Sequence, residues 1–474
     1  MSWVLTANSL TVNLPALPQR ASREYRGNMS QTLNSDPTLP SSPREILDAL
    51  VRIDSTSHTG NLETIELLQR IFASTGVTTH VFREDDGLDA NLVAIFPAKG
   101  ETAGESTDRQ AKDVLGDDYG TGRGGVNRLD GESAPQRVQS TERRGILIAG
   151  HTDCVPVTGQ NWVSDPFKLT ERDGKLYGRG TADMKGYIAT FTALADRFLA
   201  ADLTEPVYLA ATWDEETSCN GARELVKQLD TLEIAPRIAY VGEPTMMDVI
   251  TAHKSMNSFE ADFCGIAAHS SLLPRGLNAN RYAAMFTTWF HDEIIDRGVA
   301  EGPNDPAFLV PHITGGVNRF DGGNAINTVG AHAHLLFEYR ALPSDDAIAI
   351  ARRVQAKIAE LDDEMKKAIP ADPADPEQAK NVGASLTIRT LLYPLDCGTE
   401  GEAVQLARDL GVNISPTKVT YGTESGIYEA AGMSAVVIGP GDIAQAHGAN
   451  EYVALEQLDK CEAFFLALLE HLSA

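Results

Sequence analysis

The run GILIAGHTD, Gly145 to Asp153, decides how the chain reads, because a short, nearly unbroken apolar stretch stops at a histidine and, two positions on, an aspartate. An apolar run of strand length with no polar alternation suits a parallel strand buried on both faces. The pattern recurs in VYLAATW before Asp214, IAYVG before Glu243 and AVVIG before Pro440. Helical patterns lie between, such as YIATFTALADRFLA after Gly186 and ARELVKQL after Gly221. Strand, loop and helix in repeated order predict an α/β fold whose mixed, mostly parallel sheet is covered by helices. Ligands of such sheets collect beyond the carboxyl ends of the strands, where the acidic residues and histidines of this chain cluster.

Composition narrows the function before any motif does. The chain has 474 residues, 42% hydrophobic and 22% charged, which excludes wholesale disorder or a fibre. With 40 basic against 66 acidic residues the net charge is −26, so phosphate backbones and anionic lipid are repelled, and neither nucleic acid nor membrane is an expected partner. The five cysteines, Cys154, Cys219, Cys264, Cys397 and Cys461, are scattered with no CxxC pair. That spacing argues against a disulfide framework or a cysteine zinc knuckle and fits a reducing, cytoplasmic setting. No apolar run approaches the roughly 20 residues of a membrane helix. Residues 1–42, with Arg20, Arg23 and Arg26, read as a disordered extension, with Met29 as an alternative start, or as an organellar transit peptide. Residues 100–144 alternate Gly, Ser, Asp, Glu and Arg without period and read as a solvated, flexible loop. Looping it out would let ANLVAIFPA (Ala90 to Ala98) pair with GILIAGHTD.

The chemistry builds up from strand end to strand end. Alternation points His151 and Asp153 to one side, so a carboxylate can hold the imidazole N–H and fix its tautomer. An HxD triplet alone is usually an incidental surface pair, and only the other strand ends change that. Gly178 to Gly186, GRGTADMKG, is a glycine-rich turn whose Asp183 and spacing oppose a phosphate cradle. Asp214, Glu215 and Glu216 either complement a helix dipole or serve a metal, since adjacent carboxylates cannot stay ionised in one small volume without a cation. Glu243 and His447 complete the set. Two histidines, one aspartate able to bridge and further carboxylates are the inventory of a site for two divalent ions, and the mixed N and O donors suit zinc or cobalt. A carboxylate left over beside a ligand is placed to take a proton from the attacking water, which makes a hydrolase.

At this point the sequence resembles the zinc-dependent M20 peptidases and deacylases, and among them the acetylornithine deacetylases. The resemblance rests on GHTD (Gly150 to Asp153), GRGTADMKG, WDEETSCNGA (Trp213 to Ala222), VGEPT (Val241 to Thr245), GIAAHSSLLPRGLNA (Gly265 to Ala279), YGTESGIYEAAG (Tyr421 to Gly432) and GPGDIAQAHGANEYV (Gly439 to Val453). It implies that His151, Asp183 and Glu243 bind one zinc and that Asp183, Glu216 and His447 bind the other, Asp183 bridging. Glu215 matches the general base and acid, and Asp153 the residue that orients His151. The resemblance further implies a catalytic domain over residues 43–254 and 394–474. Residues 255–393 would form an inserted α+β lid or dimerisation domain, with His269 stabilising the oxyanion, often from the partner of a homodimer. Against that, His269 reads as a surface-loop histidine. Asn327 is expected as a substrate or oxyanion contact and Arg340 as an ion-pairing strand residue. Glu424 is either a partner for a substrate ammonium or a solvated loop carboxylate. The expected reaction is hydrolysis of the amide of a small N-acyl amino acid, N2-acetyl-L-ornithine foremost. Desuccinylation of succinyl-diaminopimelate is the near alternative, and a catalytically silent binding protein of the same fold the distant one. The longer 100–144 insert, and Gly448 where these enzymes often carry lysine, depart from the pattern.

Overall fold

The four apolar runs are neighbours in one seven-stranded sheet of the computed structural model, which describes residues 39–110 and 144–473. From one edge the order is Ser434–Val437, Ile238–Val241, Ile146–His151, Val207–Thr212, Ala90–Phe96, Thr78–Arg83 and Thr107–Gln110. The first four run parallel, and the next two reverse in turn. The sheet is therefore mixed and mostly parallel. Every residue of Ile146–His151, Val207–Thr212 and Ile238–Val241 is buried, which is why their sequences show no polar alternation. Ile146 and Ile148 face one core while Leu147 and Ala149 face the other. Helices Pro43–Val51, Leu62–Thr75, Gly186–Thr192 and Leu455–Leu472 cover the first face, and Asn220–Thr231 and Ser425–Ala430 the second.

Two expectations need correction. Ala90–Phe96 does not pair with Ile146–His151, because Val207–Thr212 lies between them and hydrogen-bonds both. The insert is also not loop from its start: Thr107–Gln110 extends the sheet beside Thr78–Arg83. This edge strand escaped notice because its pairing is polar. Asp108 takes a forked bond from Arg83 at 2.7 and 2.9 Å, and Thr107 Oγ1 lies 2.8 Å from His80 Nδ1. The remainder of the insert, 111–143, and the extension up to residue 38 lie outside the described residues. The first helix begins at Pro43 with a reciprocal capping box between Ser42 and Glu45.

Residues 256–392 carry a second, four-stranded sheet, in the order Thr314–Gly322, His332–Arg340, Met256–Cys264, Gly383–Leu392, antiparallel throughout. Burial alternates residue by residue along Met256–Cys264, so this sheet has one covered face. Helices Ala279–Phe290 and Ala347–Lys367 cover it with a core of its own that includes Phe259, Phe286 and Phe337. Among the described residues no helix is long and apolar enough to cross a membrane.

Candidate metal centre

His151 is the last residue of its strand, and its Nδ1 lies 3.0 Å from the Asp153 carbonyl and 3.5 Å from the Asp153 carboxylate. Both groups only accept, so Nδ1 carries a proton and Nε2 is the nitrogen turned toward the other carboxylates. Nε2 lies 3.0 Å from Asp183 Oδ1 and 3.6 Å from Glu243 Oε1. The other oxygen of Asp183, Oδ2, is 3.0 Å from His447 Nε2, which is itself 2.9 Å from Glu216 Oε2. Asp183 thus belongs to two triads, His151–Asp183–Glu243 and Asp183–Glu216–His447, each with donor atoms within 4.8 Å of one another. Local backbone aims these groups. A Cβ on Gly242 would collide with the ring of Tyr187, so only glycine lets the chain pass and present Glu243.

Charge tests whether these residues suit cations. Glu243 Oε1 is buried and has no hydrogen-bond partner among the described residues, a costly state for a carboxylate oxygen unless a cation meets it. Burial, then the neighbouring carboxylates, push Glu215 and Glu243 well above the usual carboxylate range, and Glu216 up to about 7. Hydrogen bonds to Asp183 and Glu216 raise His447 to about 11. Burial opposes charging of His151, yet hydrogen bonds to Asp153 and Asp183 win and hold it well above its ordinary value. Burial likewise opposes ionisation of Asp183, and its bonds to both imidazoles outweigh that and hold it below the usual range. Imidazole nitrogens and carboxylate oxygens converging in a buried volume are a donor set that fits divalent ions.

Several supports were invisible in the sequence. The Asp153 carboxylate accepts from Ser57 Oγ at 2.9 Å and from the Glu215 backbone N–H at 3.2 Å, so it steadies the loop of Glu215 as well as His151. Asp214 belongs to neither triad and accepts from the hydroxyls of Thr217 and Ser218, its left-handed φ of 62° starting the turn. Glu451 accepts from the backbone N–H groups of Gly180, Ala182 and Asp183 at 2.9 to 3.1 Å and pairs with Arg179 at 2.5 Å. No local pattern flags such partners, since Arg179 and Glu451 are 272 residues apart.

The other expected site residues fall elsewhere. Glu424 is not the solvated loop carboxylate of one reading. It is fully buried, accepting from Thr212 Oγ1 at 2.6 Å and Tyr428 Oη at 3.1 Å, and burial lifts it to about 7. Both oxygens are engaged inside the protein, which leaves it poorly disposed toward a substrate ammonium. His269 and Asn327 are exposed and adjacent within residues 256–392: His269 bridges to Thr328, its Nδ1 lies 2.7 Å from Ser271 Oγ, and the Asn327 carbonyl accepts from Ser270 N at 2.9 Å. Arg340 ion-pairs with Glu338 at 3.3 Å.

Residues 147–471 match Peptidase family M20/M25/M40. The chain belongs to this family. It is 33% identical over 330 residues to the acetylornithine deacetylase of Photorhabdus laumondii, covering 69% of this chain and 80% of that protein. To the Proteus mirabilis acetylornithine deacetylase it is again 33% identical, over 69% of this chain and 79% of the relative. Among solved structures, an M20 family metallo-carboxypeptidase of Sulfolobus solfataricus superposes with a TM-score of 0.60 at 15% identity, over 90% of this chain and 98% of that one. Aminopeptidase PepT of Bacillus cereus gives 0.56 at 20% identity, over 91% and 98%. These M20 likenesses fix the fold and make the protein a hydrolase of the peptidase and amidohydrolase class.

Proposed function

We propose that the protein is a deacylase of N-acyl amino acids, dependent on two divalent ions, with N2-acetyl-L-ornithine as its foremost substrate and ornithine and acetate as products. The observation that carries the two-ion reading is Asp183, whose separate oxygens each face a different histidine at 3.0 Å. The substrate is supported by the acetylornithine deacetylases at 33% identity. His151, Asp183 and Glu243 would hold one ion, and Asp183, Glu216 and His447 the other. Zinc is the ion proposed, with cobalt able to replace it.

When bound, such ions lower the pKa of water and polarise an acyl oxygen. The residues of the chain do the rest. Glu215, beside Glu216 and held by the Asp153 contact to its N–H, takes a proton from the attacking water and returns it to the leaving amine. His269, brought in from the smaller domain of a homodimer partner, donates to the oxygen that becomes negative, with Asn327 beside it as a substrate contact. The setting is the cytoplasm. Free amine released from a panel of N-acetyl, N-succinyl and dipeptide substrates, with zinc or cobalt added, tests this reading. N2-acetyl-L-ornithine should be turned over fastest, preference for a succinyl or peptide substrate would overturn the specificity, and no turnover of any would overturn the enzyme.

A further inference from the structure

Of the residues forming the two triads, His151, Asp183, Glu216 and Glu243 have side chains no more than 6% exposed, whereas the side chain of His447 is 57% exposed. His447 also lies on a loop between Ser434–Val437 and Tyr452–Ala454, with a left-handed φ of 60°. Neither burial nor a regular element holds it. What does is a second loop. Gln160 Nε2 donates to the His447 carbonyl at 2.8 Å, and Val163 N donates to Asn450 Oδ1 at 2.7 Å. The orientation of the Gln160 amide is dictated by its surroundings, because its Oε1 receives Arg179 Nη2 and Trp162 Nε1, both at 2.9 Å, and both only donate. The nitrogen is left facing His447. Arg179 continues the chain of contacts, with Nη2 3.4 Å from the Gly448 carbonyl and Nη1 on Glu451, the acceptor for the Asp183 loop.

Building on the two-ion reading, we propose that Gln160, its amide oriented by Arg179 and Trp162, is a clasp that positions His447 against Asp183 and so sets the affinity of the Asp183–Glu216–His447 ion alone. The Gln160 side chain meets His447 at its backbone carbonyl and acts through that backbone. The other triad is built from side chains already fixed by burial and does not need it.

The test is metal binding by the metal-free full chain, titrated with zinc against a chromogenic chelator, for the wild type, Gln160→Ala and Gln160→Glu. Gln160→Glu keeps the acceptor for Arg179 and Trp162, removes the donor to His447 and adds one negative charge. Loss of an outer partner of a metal ligand typically weakens binding about 10- to 100-fold. Both variants should show that loss at one ion and wild-type affinity at the other, and Gln160→Glu should keep the wild-type Tm without metal. Wild-type affinity at both ions, equal weakening of both, or a lowered Tm of metal-free Gln160→Glu would overturn the clasp. A wild type that takes up no second ion would instead overturn the two-ion reading, and the clasp with it.

Discussion

The ends of the parallel strands and the loops within residues 256–392 treat their polar residues in opposite ways. At the strand ends His151, Asp183, Glu216 and Glu243 are withdrawn from water and face one another, so their charge has to be balanced from within. In those loops His269 and Asn327 stand in solvent with short-range partners such as Ser271 and Ser270. Burial makes the first group demand a cation whatever substrate arrives. Exposure places no such demand on the second group, whose charge and polarity water can satisfy.

The sharpest way to break this comparison lies within the buried group. Glu215→Gln is expected to cut kcat by about 10²- to 10⁴-fold, the usual range for a lost proton shuttle, while keeping its metal. Glu216→Gln should instead lower occupancy of one ion. Measuring kcat beside zinc content at saturating metal separates the two. If Glu215→Gln loses zinc and regains near-full rate when zinc is restored, Glu215 is a ligand and the proton-transfer assignment fails.

Across the divide, His269→Ala should reduce kcat by about 10²- to 10³-fold, as removal of one oxyanion donor does, with zinc content unchanged. Mixing His269→Ala and Glu215→Ala chains sharpens the point. Hybrid dimers should regain activity if the histidine works in trans, and no recovery despite demonstrated subunit exchange would place its action within one chain.

A smaller effect belongs to the seam between the regions, where His253 is fully buried, Nδ1 on the Lys254 carbonyl at 2.8 Å and Nε2 on Ser425 Oγ at 3.0 Å. Burial, with a lesser push from Arg340, lowers its pKa to about 4 from the ordinary 6.5. The unfolded chain then binds the proton more readily, so this contribution to stability is complete above pH 6.5 and is lost as the pH falls toward 4. The loss amounts to about 3 kcal/mol at most. Denaturant unfolding of metal-free wild type and His253→Gln from pH 7 to pH 4 should show the difference in stability between them narrowing by that order. A constant difference would mean His253 does not carry the acid sensitivity.

The buried region was the more legible in sequence, for a physical reason. His151, Glu216 and Glu243 each follow within a few residues of a run kept apolar by double burial, so the run itself points at the site. The parallel sheet was legible for the same cause. The order of its strands was not, since nothing local says that Val207–Thr212 inserts between Ala90–Phe96 and Ile146–His151. The polar edge strand Thr107–Gln110 left no apolar trace. Ser57, Gln160 and Glu451 were equally silent, because their partners lie 96, 287 and 272 residues away and each contact is a single hydrogen bond or ion pair. Of the two readings of Glu424, the carboxylate in water fails, because packing against Thr212 and Tyr428 encloses it, and no local pattern announces those partners.

The central claim, that Asp183 joins two cation sites at the strand ends, is tested most directly by counting metal in the reconstituted protein beside Asp183→Asn. Chelator-treated wild type given back zinc should approach two ions per chain as activity returns, and Asp183→Asn should hold neither ion tightly. Full activity in wild type with no bound metal, or two tightly held ions in Asp183→Asn, would contradict it.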